Sequence, residues 1–514
     1  MSLFIKAKEL GEHFCNVHQL DPNKDLPVEY IAPSSLVRPA RLDLLSKITY
    51  AQEYIKGTLT EQAIFDYKEF IKGFSLNKFT EGDGSKSNFN DFRESFDSLI
   101  CSIKNNGFDP IHAVPVGEDN TIIGGAHRTA IMVALRQQIP IVRLQGLVAN
   151  YDADYFKQRD VAEEVIETSL TRLANYINAS VFILWPSMTS KQKKIALELI
   201  QEKGHVIYQR EDDFNFQGLH ALVTMTYIGH PWIGSPQDRY AGAVNKTKEV
   251  YGKPSTLTTT LFIEMDSDEA IDLKIKIRDI LSCGNNGVHC TDNSEETLYL
   301  LNILLNRNTR HLLIHGNPFY FKKYIESVMQ YRQNIINNQL SIDDFSIVSS
   351  GVLGLYGLRL PNDIDFVSLS DGYNLVVNEN TESHHHVLQH DLQVFELIKH
   401  PVNFIVFFDI KVISIQAFIL MNKHRQEQTK INDIAQVQML LNNEENTLIF
   451  YRLKLKWYQA LRKFKLSRFG INNLLRFMKN STYFSPLYNR LRKSRFVGFV
   501  NRKLSSAVNK LPKW

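Results

Sequence analysis

Cysteine is scarce: four in 514 residues, at Cys15, Cys101, Cys283 and Cys290. No two form a CxxC pair, so neither a zinc finger nor a disulfide framework is indicated, and a reducing cytoplasm fits. Long apolar runs are missing as well. The opening MSLFIKAKELGEHF has no sustained apolar core, and no signal peptide is expected. The most apolar stretch, VNFIVFFDIKVISIQAFILM (402–421), is interrupted by Asp409, Lys411 and Gln416. Charges at a bilayer centre are costly, so this stretch is expected to form two short strands around a turn at FDIK, then a helix. Acidic residues are absent from the end of the chain: residues 451–514 carry 17 Lys and Arg and no Asp or Glu. The first 450 residues carry 42 basic and 55 acidic side chains, a formal charge of −13 that the overall +4 conceals. An acidic body with a basic tail implies an anionic partner surface, either membrane or nucleic acid.

What is present can build cores. Hydrophobic residues make up 44% and charged residues 22%, and the length suits about three domains. The spacing predicts an α/β and α+β multidomain chain, divided at 28–150, 151–340, 341–445 and a helical tail at 446–514. Phe92, Phe96, Leu99 and Ile103 recur at helical spacing before Gly107. IHAVPV and IPIVRL read as strands around a helix RTAIMVALRQQ. A long helix is expected over 152–177, then strand ASVFILWP, helix SKQKKIALELIQEKG and strand HVIYQRE, a β-α-β order implying an α/β layer. RHLLIHGNP reads as a strand into a turn.

The first chemical signal is IIGGAHRTAIMVAL (122–135). Glycines allow close backbone approach. A helix N-terminus offers unpaired N–H groups, and Arg suits bidentate phosphate contact. Gly124, Gly125, His127 and Arg128 thus form a candidate phosphate cradle. The wider unit GFDPIHAVPVGEDNTIIGGAHRTAIMVALRQQIPIVRL resembles the ParB/sulfiredoxin-like fold, over roughly residues 43–147. That resemblance implies nucleotide binding by the same four residues. Sulfiredoxins carry a reactive cysteine where this chain has Ala126, so their chemistry is not expected, and no helix-turn-helix follows the box.

The second signal is SIVSSGVLGLYGLRLPNDIDF (346–366). Asp363 and Asp365 alternate along a strand-like run and share one face. Paired carboxylates suit Mg²⁺ with substrate phosphates, and two metals can serve an in-line displacement. Ser349 and Ser350 precede an apolar helix. This order resembles the nucleotidyltransferases of the DNA polymerase beta superfamily, over about residues 341–441, whose signature is Gly-Ser, a helix, then Asp-x-Asp. The resemblance implies that Asp363 and Asp365 ligate Mg²⁺, that Ser350 and its neighbour Ser349 contact the phosphates of ATP or CTP, and that a third carboxylate lies on a neighbouring strand. Glu396 and Asp391 are the candidates. Ser349 stands where the family has glycine. Lys423, Arg425 and Asp433 fall in a cluster resembling the family's closing helix.

Between these units, Lys274 and Arg278 share a helix face at i, i+4 spacing, and His289 and Asp292 follow a GNNG turn. The four form a candidate phosphate or sugar site, weighed against a capped helix with ordinary surface charge. HHHVLQH (384–390) reads as a solvated loop. The tail alternates Lys and Arg with Leu, Trp and Phe, as a membrane-surface amphipathic helix does; stacking on single-stranded nucleic acid is the alternative. The leading functional reading is a nucleotide-dependent transferase, moving a nucleotidyl or phosphoryl group to a glycan or phosphosugar acceptor at the inner membrane face. The other readings are a nucleic-acid-associated protein, against which the acidic body argues, and a non-catalytic nucleotide sensor, which Ser349 supports.

Overall fold

Four separate β-sheets organise the chain in a computed structural model that describes residues 3–80, 84–252, 254–385 and 393–442. The basic tail and Asp391 lie outside the described residues. The protein is a mixed α/β multidomain chain. Its described residues form two compact units, one within Met1–Gly357 and Pro361–Ala417, the other of Leu358–Leu360 with the described residues from Phe418 to Asn442. All four sheets belong to the first unit. In the second, Asp433 on the helix Gln428–Leu441 is buried and pairs with Arg359 at 3.1 Å.

A hairpin of β1 (Phe4–Lys6) and β2 (Asp25–Pro27) leads into the first domain. There β3 (Glu29–Ile31), β4 (Val114–Val116) and β5 (Ile139–Arg143) form a sheet in the order β3-β5-β4, antiparallel then parallel. The helix Phe89–Asn106 packs Phe92, Phe96, Ile100 and Ile103 inward, and Gly107 closes it at φ +79°. Ile100 therefore takes the place expected for Leu99. Each such side chain, fully buried, contributes about 1.5–3 kcal/mol.

In the second sheet β6 (Ala179–Leu184), β7 (His205–Asp213), β8 (Leu257–Glu264) and β9 (Val288–Cys290) run in the order β7-β8-β6-β9, every neighbour antiparallel. β6 and β7 are parallel to one another but separated by β8, so the β-α-β unit is split. The third, five-stranded sheet has β10 (Phe345–Ile347), β11 (Ile364–Ser368), β12 (Thr381–Ser383), β13 (Phe404–Phe407) and β14 (Ile410–Ile413) in the order β12-β11-β10-β14-β13. β13 and β14 are the hairpin expected around FDIK, turned at Phe408 with φ +55° and followed by the helix Ile415–Asn422. No helix among the described residues is long and apolar enough to cross a membrane.

Two expectations fail. The helix over 152–177 is two helices, Ala153–Lys157 and Glu163–Leu173. Asp160 takes φ +55° between them, and Val161 drops against Gly73, where a Cβ would lie 2.7 Å from it. The expected strand RHLLIHGNP is the helix Arg307–His315, capped by the Asn306 side chain, which accepts from the Thr309 N–H at 2.8 Å. A short apolar run fits either period, and here the cap decides.

Candidate functional site

The carboxylates of the five-stranded sheet converge through strand pairing. β11 lies between β10 and β12, antiparallel to the first and parallel to the second. The parallel register sets Glu382 directly beside Asp365. Period two then puts Asp363 on the same face as Asp365, and His384 on the same face as Glu382. His384 Nε2 is 3.0 Å from Asp365 Oδ1 and 4.0 Å from Glu382 Oε2. Asp365, Glu382 and His384 each bring one ligand atom within 4.8 Å of the others. Asp363 is exposed at the strand's start. Its carboxyl is pushed up by partial burial and then by the charges of Asp365 and Glu382, with His384 opposing. Negative charge thus accumulates on one strand face. The Tyr324 hydroxyl is buried there with no hydrogen-bond partner, and burial and Asp365 together push its pKa up. An excess of carboxylate oxygen beside one imidazole and an unpartnered hydroxyl is a donor set that fits a divalent cation.

Upstream, Ser349 takes φ +55°, and Ser350, 5% exposed, opens the short helix Gly351–Leu355. A Cβ on Gly351 would meet Ile347 at 2.4 Å and the Tyr324 hydroxyl at 3.0 Å, so the turn presses directly on the floor of the carboxylate face. The Val348 N–H donates to the Asp365 carbonyl at 2.8 Å, tying the turn to β11.

The third carboxylate is therefore a correction. Glu396, a candidate for it, sits on the helix Val394–Lys399, where its carboxylate accepts from the Gln393 N–H in a capping box. Glu382 occupies the neighbouring strand instead. The solvated-loop reading of the histidines also fails for the two that are described. His384 joins the carboxylates, and His385 accepts from the Ser368 N–H at 2.8 Å while stacking on Tyr373. The sequence signal was Glu-x-His at period two, the same alternation as Asp-x-Asp.

The turn Gly124–Arg128 has a different character. Gly125 caps the helix Ala126–Leu135 at φ +82°, as expected of a glycine turn. His127, however, faces inward: Nε2 is 2.8 Å from the Tyr67 hydroxyl, and its ring lies edge-on to Tyr67 and Phe96. Burial, then the nearby Lys47 and Lys86, hold its pKa well below the usual histidine range, which favours the neutral ring. Arg128 folds back to donate to the His112 carbonyl. Beneath the turn is a buried cluster that spacing alone did not disclose. Arg41 grips Asp43 through two hydrogen bonds at 3.0 and 3.1 Å, Lys47 adds a third at 2.6 Å, and Arg41 Nη1 donates to the Ile122 carbonyl at 2.7 Å. Burial alone would raise the Asp43 carboxyl, but the two cations outweigh it and hold it well below the carboxylate range.

Beside β9, Lys274, Arg278, His289 and Asp292 line one cavity of about 650 Å³. Lys274 pairs with Asp292 at 2.9 Å, and His289 Nε2 is 3.3 Å from Glu296. Burial holds His289 below its usual range, with Glu296 opposing. Lys246, Tyr227 and Trp232 line the same cavity and were not singled out by spacing; they come from helices and turns far from the GNNG segment in sequence.

Comparison with protein-family models, with curated proteins and with solved structures gives no match to this chain.

Proposed function

We propose that the five-stranded sheet carries a metal-dependent nucleotidyl- or phosphoryl-transfer centre of the DNA polymerase beta superfamily type. The observation that carries this reading is the parallel pairing of β11 with β12, which adds Glu382 to Asp363 and Asp365. Asp363, Asp365 and Glu382 would hold the cation, Mg²⁺ by the oxygen donors, with Mn²⁺ suited also by the imidazole of His384. When bound, the cation supplies charge neutralisation for a nucleoside triphosphate, ATP or CTP, and for its leaving group. His384 orients Asp365 through their 3.0 Å contact. Ser350 contacts the phosphates, and the Tyr324 hydroxyl has a donor to offer at the same floor. The acceptor supplies a hydroxyl, as a glycan or phosphosugar does, and the turn Gly124–Arg128 would be a second, separate nucleotide-phosphate site, as its resemblance to the ParB/sulfiredoxin-like box implies. A cytoplasmic enzyme held at the inner membrane face by its basic tail would suit surface-polysaccharide assembly.

The test uses the full-length protein with labelled ATP, CTP, GTP and UTP and Mg²⁺ or Mn²⁺, reading metal-dependent nucleotide binding and pyrophosphate release. Asp363→Asn with Asp365→Asn is expected to lower both at least 100-fold while leaving the thermal midpoint within a few degrees of wild type. Binding unaffected by that pair, or no metal-dependent binding of any of the four nucleotides, would remove the proposal.

A further inference from the structure

The 650 Å³ cavity lined by His289 of β9 holds three cations and three carboxylates, yet two of its cations make no ion pair among the described residues. Lys274 has its carboxylate in Asp292. Arg278 has none among the described residues: its Nε and Nη2 both donate to the Val288 carbonyl, at 3.3 and 2.8 Å. Lys246 has none either. Its ammonium donates to the Asn285 carbonyl and to Asn286 Oδ1, at 2.5 and 2.8 Å, and sits 5.6 Å from the Tyr227 ring centroid. Burial and then the charge of Arg278 push the Lys246 pKa down to about 8, with Glu249 opposing. The two cations, half-buried and hydrogen-bonded only to neutral acceptors, repel one another more than Glu249 offsets, since the Lys246 pKa is lowered on balance. Surface cations without partners are ordinary; a mutually repelling pair inside a cavity is a costly arrangement that a ligand relieves.

The remaining walls define the rest of the ligand. Tyr227 and Trp232 meet at 5.2 Å, and Trp232 is 45% exposed, an unusual aromatic surface to leave in water. The two rings are tilted by 58°, so the exposed Trp232 ring alone offers an apolar face. Asp292, Glu296 and Glu249 present carboxylates, which accept from hydroxyls and repel a second or third phosphate. A polyphosphate or a nucleic-acid backbone is disfavoured by those acids. One phosphate, several hydroxyls and a ring face match the lining.

The geometry points to a binding site for a sugar monophosphate, its phosphate on Arg278 and Lys246, its hydroxyls on Asp292 and Glu296, and its ring against Trp232. This site is independent of the carboxylate centre on β11 and β12, and its existence does not rest on that reading.

Isothermal titration calorimetry on the full-length protein tests it, with glucose 1-phosphate, glucose 6-phosphate and mannose 6-phosphate as probes, and glucose, AMP and inorganic phosphate as comparisons. At least one hexose phosphate is expected to bind at least ten-fold more tightly than glucose, AMP or phosphate alone. Arg278→Met and Lys246→Met are each expected to weaken that binding at least ten-fold, and Asp365→Asn to leave it unchanged. Because Arg278 also holds the Val288 carbonyl, a folding defect in its variant leaves Lys246→Met and Trp232→Ala to decide. The proposal is overturned if no hexose phosphate binds, if AMP or bare phosphate binds as tightly, or if the Lys246 and Trp232 variants bind like wild type. Loss of binding in Asp365→Asn would place the ligand at the carboxylate centre and overturn it equally.

Discussion

A single backbone angle at Ser349 bears on whether the carboxylate centre is intact. The glycine expected before Ser350 is replaced, yet the chain still adopts φ +55° there. A non-glycine residue in the left-handed region costs about 1–3 kcal/mol, so the turn is kept despite its side chain. Ser349→Gly removes the strain but adds unfolded-state entropy worth about 0.4–1 kcal/mol, so stability is expected to rise by about 1 kcal/mol or stay level. Ser349→Val, β-branched, is expected to lose about 2 kcal/mol at the same position. Thermal unfolding of the two variants checks this; equal midpoints would mean that the left-handed turn is not what limits residue choice there.

At the level of elements, the site depends on one register. A shift of β12 by one residue would turn Glu382 and His384 to the opposite face, so the cluster is a property of the pairing rather than of either strand. Glu382→Gln is expected to lower metal-dependent transfer at least 100-fold, as Asp365→Asn does. Glu396→Gln is expected to leave transfer unchanged and cost at most about 1 kcal/mol through its cap. Initial rates of pyrophosphate release compare the two directly, and a large loss from Glu396→Gln would return the third carboxylate to that helix. The contrast also marks what the sequence could convey. Asp363 and Asp365 were legible because alternation within one strand is local. The hairpin at 404–413 was legible because Asp409 and Lys411 interrupt an apolar run where a turn fits. Glu382 was not, since β12 has three residues and nothing local encodes which strand it pairs with. The Arg41–Asp43–Lys47 cluster was illegible for another reason: charged residues near a helix start look like surface until the tertiary fold covers them. Lys274, Arg278, His289 and Asp292 were legible as a set, while Lys246 and Trp232 joined them only through folding.

For the whole molecule, acid is the revealing variable, because histidines far apart in sequence are shielded from water and held neutral. His127 lies against Tyr67 and Phe96 and is held well below its usual range by burial, then by Lys47 and Lys86. His220 lies against the Phe319 ring, and burial pushes it down to about 4, opposed by the Tyr240 and Arg239 carbonyls. His311 contacts the Tyr356 hydroxyl at 2.7 Å, and burial, then His315 and Arg307, push it down to about 4. Each has an unfolded pKa near 6.5 and a folded one far lower, so the unfolded chain binds more protons between those values. Their contribution to stability is complete above about pH 6.5 and falls with acid by about 1.4 kcal/mol per histidine per pH unit, until the folded pKa is reached. Buried carboxylates such as Asp66 and Glu167, whose pKa values burial raises, act in the opposite sense at lower pH. The window that isolates the histidines is therefore pH 6.5 to 5.5. The thermal midpoint is expected to fall across it, and the fall to be shallower in His220→Asn with His311→Gln, because two of the protons taken up on unfolding are then missing. Differential scanning calorimetry of both proteins at pH 7.0, 6.5, 6.0 and 5.5 measures the slopes. Equal slopes would mean that neither imidazole is kept neutral by the fold.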